Sequence, residues 1–104
     1  MANPWAGEVA LVVGGERWAA KLTLGALAEL EARLEVDSLA ELVERFEGES
    51  LRARDVLMLV CAGLRGGGWR GDLPELLSAE IEGGPLEAAR VAAQLLALAF
   101  AVPE

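Results

Sequence analysis

The segment from Leu64 to Asp72, with the sequence LRGGGWRGD, contains the residue types that could bind a phosphate or a nucleic acid. A phosphate-binding loop of the Walker type requires glycines followed by lysine and serine or threonine, because the lysine neutralises the phosphate and the hydroxyl binds magnesium. Here the glycines are followed by Trp69 and Arg70. A dinucleotide-binding turn would require glycines after a strand, and these follow a predicted helix. The segment therefore does not indicate a nucleotide site.

The same segment admits three other interpretations. Arg65, Trp69 and Arg70 could stack on a nucleic-acid strand and neutralise it. They could instead contact another protein, because tryptophan and arginine are typical anchors of protein interfaces. The third interpretation is a connection between helices, in which Gly66 ends one helix, Trp69 anchors the loop and Asp72 caps the next helix. This last interpretation requires the fewest assumptions.

The composition of the chain limits the classes of function that it can have. The 104 residues suit one domain, and 17 acidic against 9 basic side chains give a net charge of −8. A chain this acidic repels phosphate backbones, so we expect no nucleic-acid binding. Histidine is absent, and the only cysteine, Cys61, lies in an apolar run. Both facts leave few candidates for acid–base catalysis, metal binding or nucleophilic chemistry.

Acidic residues concentrate in the segment 29–49, which carries eight carboxylates and two arginines. Catalysis by a pair of carboxyl groups requires burial that raises the pKa of one of them. Glutamates at helical spacing on an exposed face lack that burial, so we expect either a solvated surface or a docking face for a basic partner. The chain is predicted not to be an enzyme, with no cofactor, no metal and no small-molecule substrate.

Neither end of the chain has the pattern of a targeting or membrane segment. The first ten residues, MANPWAGEVA, lack the basic and apolar regions of a signal peptide. The longest strongly apolar run, residues 91–102, is shorter than the roughly 20 residues that span a bilayer. We expect a cytoplasmic protein with no membrane partner.

Residues 8–22 are predicted to form a β-hairpin, because Gly14 and Gly15 can supply the positive φ angles of a two-residue type I′ turn. The predicted pairs are Val13–Glu16, Val12–Arg17, Leu11–Trp18, Ala10–Ala19, Val9–Ala20 and Glu8–Lys21. One face of the hairpin is then mostly apolar. The other face is charged, and Val12 is its one large apolar side chain.

Capping residues and apolar spacing predict about five helices after the hairpin. The predicted caps are Thr23, Ser38, Ser50 and Asp72, and the last helix is expected at about 86–101. The third helix, which ends near Leu64, is apolar nearly all round and is expected at the centre of the domain. In the fourth, the predicted buried stripe is Leu73, Leu76, Leu77 and Ile81, and the following Gly83 and Gly84 are expected to stop the helix.

The predicted fold is therefore α+β, with an N-terminal β-hairpin packed on a small bundle of about five helices. The chain is interpreted as a single domain, 1–104, with an arm at 1–7, the hairpin at 8–22 and the bundle at 23–102. The candidate partner-binding residues are Trp5, Val12, Arg65, Trp69 and Arg70. Trp5 stands in the arm, where it either folds back onto the hairpin or docks on a partner.

Several segments, taken in their order along the chain, resemble the small tail proteins of gene transfer agents. These segments are MANPWAGEV at 1–9, KLTLGALAELE at 21–31, LVERF at 42–46 and GLRGGG at 63–68. The proteins that they resemble belong to a phage tail assembly chaperone family, which is also described as related to tail tubes. The resemblance covers essentially the whole chain and depends on the joint order of the segments. It brings no catalytic motif with it.

The resemblance implies a non-enzymatic tail assembly chaperone that binds the tape-measure protein and assists assembly of the tail tube around it. Before assembly such a client exposes apolar helical surface. A small acidic domain could cover that surface with an apolar groove or with an open hairpin edge. The alternative is a structural subunit of the tail, such as a tube or terminator-like component. The implied partners are the tape-measure protein and the tail tube protein, and self-association stays open.

Overall fold

The computed structural model describes residues 6–38, 40–41, 44, 46 and 52–100. Its strands and complete helices, in chain order, are β1 (Glu8–Val13), β2 (Glu16–Lys21), α1 (Leu24–Leu34), α2 (Ala53–Gly66), α3 (Leu73–Ser78) and α4 (Gly84–Ala99). The architecture is α+β, and the antiparallel hairpin of β1 and β2 packs on the helices. The predicted class is confirmed, but the described residues hold four complete helices and not about five.

The hairpin has the register that the sequence predicts. All six predicted pairs are present, and Gly14 and Gly15 have positive φ angles of 58° and 82°. The alternate residues of β1, Val9, Leu11 and Val13, are buried. A slip by one residue would turn them toward solvent, so their burial stabilises this register against its neighbours.

Both outer edges of the hairpin contact other parts of the chain. At β1, the Glu82 N–H donates to the Val12 carbonyl at 3.0 Å, and the Gly14 N–H donates to the Glu80 carbonyl at 2.8 Å. At β2, two outward carbonyl oxygens lie against the end of α2. These contacts cover part of the edges that we expected to be open to a partner strand.

The first helix, α1, begins at the predicted cap. The Thr23 side-chain oxygen accepts a hydrogen bond from the Ala26 N–H at 3.0 Å. The buried side of the helix consists of Leu27, Leu30 and Leu34. Leu24, three residues before Leu27 and so at the same helical spacing, is 83% exposed instead. Side chains lean toward the N-terminal end of a helix, and Leu24 is the first residue of α1, so it has no preceding turn to cover.

The helix expected after Ser38 lies for the most part outside the described residues. Its start is described: the Ser38 hydroxyl accepts a hydrogen bond from the Glu41 N–H at 3.1 Å, as a helix cap does. The Glu41 carboxylate accepts from the Asp37 N–H at 2.9 Å. The described positions that follow are helical, and they are Ala40, Glu41, Glu44 and Phe46.

The central element is α2, which contacts α1, α3, α4 and β2. The six consecutive residues 59–64 are all buried. Burial on every side requires apolar residues on every side, so the predicted central position of this helix is confirmed. The helix begins at Ala53, after Arg52. The expected cap, Ser50, lies outside the described residues.

The predicted buried stripe of the fourth helix is wrong in its second half. Leu73 and Leu76 are buried, but Leu77 is 54% exposed. The helix α3 ends early because Ala79 is extended, which carries Ile81 to the edge of β1, where it pairs with Val13. Ile81 therefore lies half-buried beside the sheet and not on a helix.

The predicted role of Gly83 and Gly84 is also wrong. Gly83 precedes α4, and Gly84 is the first residue of that helix, with Pro85 in the first turn. Proline suits this position, since the first turn of a helix has no internal partner for its N–H groups. In the described ranges, α4 included, no helix is long and apolar enough to cross a membrane.

Candidate functional site

The three glycines at 66–68 end α2 and turn the chain toward α3. The Gly68 N–H donates to the Arg65 carbonyl at 3.1 Å, and the Trp69 N–H donates to the Leu64 carbonyl at 2.9 Å. This pair of hydrogen bonds forms a Schellman motif, which requires one residue with a left-handed backbone. Gly68 supplies it, with a φ of 103°.

Gly66 and Gly67 allow α2 to approach the backbone of β2. A β-carbon on Gly66 would collide with the Lys21 carbonyl oxygen, and one on Gly67 would collide with the Ala19 carbonyl oxygen. A side chain at either position would therefore push the end of α2 away from the hairpin. Packing against β2 explains Gly66 and Gly67, and the turn explains Gly68. None of the three requires a bound phosphate as its explanation.

Trp69 anchors the loop that follows. Its ring lies over Gly71, where a β-carbon would collide with ring atoms, and the side chain packs half-buried against the core. Asp72 then caps α3, and its carboxylate oxygen accepts from the Glu75 N–H at 3.2 Å. The geometry supports the interpretation of this segment as a connection between helices.

The arginines of this segment differ in their surroundings. The Arg65 guanidinium lies 3.6 Å from the Glu29 carboxylate of α1, which also pairs with Arg33 at 3.3 Å. Arg65 therefore joins α2 to α1, although 41% of its side chain remains accessible. Arg70 is exposed. Contact of Arg65, Trp69 and Arg70 with a partner stays a prediction.

The other two candidate contact residues are not brought together with this loop. Val12 is half-buried near the turn of the hairpin, whereas the glycines lie against the far half of β2. Trp5 lies outside the described residues. The candidates are thus spread along the molecule and do not form one site in the described part of the chain.

Cys61 is buried in α2 and is not placed for chemistry. Burial raises the pKa of its thiol, and the nearby positive charges of Arg33 and Arg65 offset part of that rise. A thiol with a raised pKa stays protonated near neutral pH and is a poor nucleophile. The residue acts as a small apolar side chain of the core.

An open apolar groove of about 480 Å³ lies between the start of α2, the helix α3 and the start of α4. Its walls include Val56, Leu57, Leu76, Leu77, Ile81, Pro85 and Ala88. Among the described residues that line it, Arg52 alone carries a charge. We call this surface the helix-start groove.

One exposed leucine of the groove wall, Leu77, extends the helix-start groove onto the surface. Leu77 lines it and is 54% exposed, and Leu86, directly after Pro85, is 85% exposed. Large contiguous apolar surface typically marks a site of protein contact. Helical periodicity missed this site because it assigned Leu77 to the core.

The family of the chain is identified by a comparison over nearly its whole length. A family model described as "Phage tail tube protein, GTA-gp10" matches residues 6–102. No curated protein and no solved structure gives a significant match. The match agrees with the resemblance to gene-transfer-agent tail proteins, which depends on several segments in their order along the chain. The chain therefore belongs to the tail tube protein family of phages and gene transfer agents.

Proposed function

We propose that this protein is a non-enzymatic structural subunit of the tail of a phage-like gene transfer agent, and specifically of its tube. The observation that carries the proposal is the family match over residues 6–102, because its description names a tail tube protein. That description favours the structural alternative over the chaperone implied by the resemblance. The main expectation from the sequence is revised accordingly.

A structural subunit needs surfaces that bind its neighbours, and the helix-start groove is the best candidate. It is open and apolar, and Leu77 in its wall is 54% exposed. The partners in this role are other tail proteins, which the subunit joins in the cytoplasm where the tail is built. No cofactor, metal or small-molecule substrate takes part.

The second candidate function is the tail assembly chaperone. The groove favours it as well, because an apolar groove between helices can hold the apolar face of a client helix, such as one from a tape-measure protein. The two functions differ in the fate of the protein. A structural subunit stays in the particle, whereas a chaperone is released.

The deciding experiment measures the protein in purified particles by quantitative mass spectrometry, relative to the other tail proteins. A constant ratio to those proteins is expected for a structural subunit. Absence from particles, together with co-purification of the tape-measure protein from the cell lysate, would replace this proposal with the chaperone function. As a control, the same purification from a strain that makes this protein but no particles calibrates contamination by free cytoplasmic protein.

Variants carried by the same strain test the surface. Leu77→Glu places a charge in the groove without disturbing the core, and it is expected to remove the protein from the particles. Ala10→Glu, at an exposed position of β1, adds the same charge elsewhere and is expected to be incorporated normally.

A further inference from the structure

The outer edge of β2 is covered by the end of α2. Backbone groups along an antiparallel strand point alternately toward the partner strand and away from it. On β2 the carbonyl groups of Ala19 and Lys21 point away from β1, and they lie against Gly67 and Gly66. A strand from another chain therefore has no access to this half of β2.

The outer edge of β1 is the one that needs protection. Its outward backbone groups belong to Glu8, Ala10 and Val12, which pair with the outward residues of β2. The strand has the sequence EVALVV, with one charge and with neither proline nor glycine. Six-residue segments of high β-propensity and low charge are those that pair between chains when their edge is exposed.

Residues 80–82, between α3 and α4, cover the half of this edge that is nearest the turn. Two backbone hydrogen bonds, of 2.8 Å and 3.0 Å, join them to Gly14 and Val12. Between these bonds, Ile81 pairs with Val13. We call residues 80–82 the edge strap.

The edge strap does not create a new edge for another strand. The Ile81 carbonyl, which points away from β1, accepts a hydrogen bond from the Gly84 N–H at 2.9 Å. Gly83, with a φ of 91°, then turns the chain into α4. The side chains of Glu80 and Glu82 are exposed, so an approaching strand meets two negative charges.

We propose that the edge strap protects the free subunit from strand pairing through β1. With the strap in place, the uncovered part of the edge is the first half of β1, around Ala10. The outward N–H and carbonyl of Ala10 have no backbone partner among the described residues. This part is too short for a stable pairing, since strands usually have about 5–6 residues. Without the strap, all six residues of β1 would be available. The inference concerns the free subunit, so it holds for either tail function.

The test detaches the strap from β1 with Glu82→Pro, because proline has no N–H to donate to the Val12 carbonyl. Glu82→Ala is the matched control, since it removes the same carboxylate and keeps the N–H. Asp72→Ala is the control for lost stability, because it removes a helix cap away from this edge. Thioflavin T fluorescence of the purified full-length chains, followed over time, measures strand pairing between chains. Glu82→Pro is expected to form thioflavin-positive assemblies at a concentration at which the unaltered chain and both controls form none.

A second substitution tests whether these assemblies form through the edge of β1. Ala10→Pro removes only an outward N–H, because Ala10 and Ala19 do not hydrogen-bond to each other across the hairpin. Proline is tolerated on an edge strand in this orientation and blocks pairing there. Added to Glu82→Pro, it is expected to suppress the assemblies. Assembly caused by general unfolding would persist, because Ala10→Pro adds no contact to the fold.

Ile81→Ala is the second variant of the strap, since it removes the side chain beside the sheet and keeps every N–H. It is expected to form the same assemblies more slowly, and Ala10→Pro is expected to suppress them as well. Circular dichroism shows whether each chain is folded, and if Glu82→Pro is not, the Ile81→Ala pair decides.

Three results would overturn the inference. They are a folded strap variant that forms no assemblies, an Asp72→Ala chain that forms them to the same extent, and assemblies that persist when Ala10→Pro is added. The content of purified particles tests the proposed function separately, so failure of one proposal is distinguishable from failure of the other.

Discussion

Gly66, Gly67 and Gly68 are adjacent in the sequence but meet different physical demands. The first two lie so close to β2 that a β-carbon would collide with a carbonyl oxygen of that strand. Gly68 has open space around its α-carbon, but its φ of 103° lies in the region that side chains disfavour. A run that looks like one motif is therefore two packing positions followed by one turning position.

Substitution of these glycines should destabilise the fold, and a glycine elsewhere provides the control. Gly67→Ala is expected to lower the free energy of unfolding by about 1–3 kcal/mol through overpacking, and Gly68→Ala by about 1–2 kcal/mol through its φ. At Gly25 in α1 a β-carbon would meet only the Thr23 hydroxyl, at an ordinary 3.9 Å. Gly25→Ala is therefore expected to stabilise the chain, by up to about 1 kcal/mol. Urea titrations followed by circular dichroism measure all three, and a neutral Gly67→Ala would mean that α2 is not held against the hairpin.

At the scale of elements, two of the four complete helices in the described residues begin where a side chain accepts a backbone N–H. Thr23 does so for α1 and Asp72 for α3, at 3.0 Å and 3.2 Å. The cap matters most for α3, because this helix has only six residues and is too short to be stable by itself. It also holds Leu76 in the core and Leu77 at the groove. The cap thereby helps to position the proposed contact surface.

Removal of the α3 cap should cost a measurable part of the stability. Asp72→Ala is expected to lower the free energy of unfolding by about 1 kcal/mol, because the Glu75 N–H loses its partner. Asp72→Asn keeps an oxygen acceptor and is expected to retain most of the stability. The measurement is the midpoint and slope of urea unfolding for the three chains. Equal losses for both variants would show that the carboxylate charge, and not the hydrogen bond, is what stabilises the helix.

At the scale of the whole molecule, the net charge of −8 repels a phosphate backbone. That repulsion outweighs the attraction of the local pair of arginines, Arg65 and Arg70, for phosphate. Arg65 is in addition beside the Glu29 carboxylate, which reduces its attraction for a phosphate. Nucleic-acid binding of this kind depends on the release of counterions by an excess of basic residues, and the chain has the opposite excess.

The expected result is that a fluorescein-labelled single-stranded oligonucleotide does not bind to the protein, even at low salt. Fluorescence anisotropy over rising protein concentration measures this. Binding that disappears in Arg65→Ala and Arg70→Ala would contradict the expectation and would restore the glycine segment as a nucleic-acid site.

The parts of the fold that were predictable are those determined by neighbours in sequence. The hairpin register follows from the alternation of Val9, Leu11 and Val13 and from two glycines that can form the turn. The caps at Thr23 and Asp72 follow from side-chain oxygens that accept a hydrogen bond from the backbone N–H three residues ahead. The central position of α2 follows from its lack of a polar face.

The end of α3 was not predictable, because it depends on a contact with a distant strand. Ile81 leaves the helical pattern to pair with Val13, which lies 68 residues earlier in the chain. Leu77, near the end of α3, stays 54% exposed, and both Leu77 and Ile81 line the groove. No local pattern distinguishes a leucine that is buried from one that a neighbouring element leaves uncovered.

The sequence by itself determined the hairpin, the starts of α1 and α3, the acidic character and the resemblance to gene-transfer-agent tail proteins, since each depends on residue type and short spacing. Only the tertiary structure decided what the glycine run does and where the chain presents apolar surface. The reason is physical: Gly66 and Gly67 are required by a carbonyl row of another element, and the exposure of Leu24 and Leu77 depends on which elements stop short of covering them.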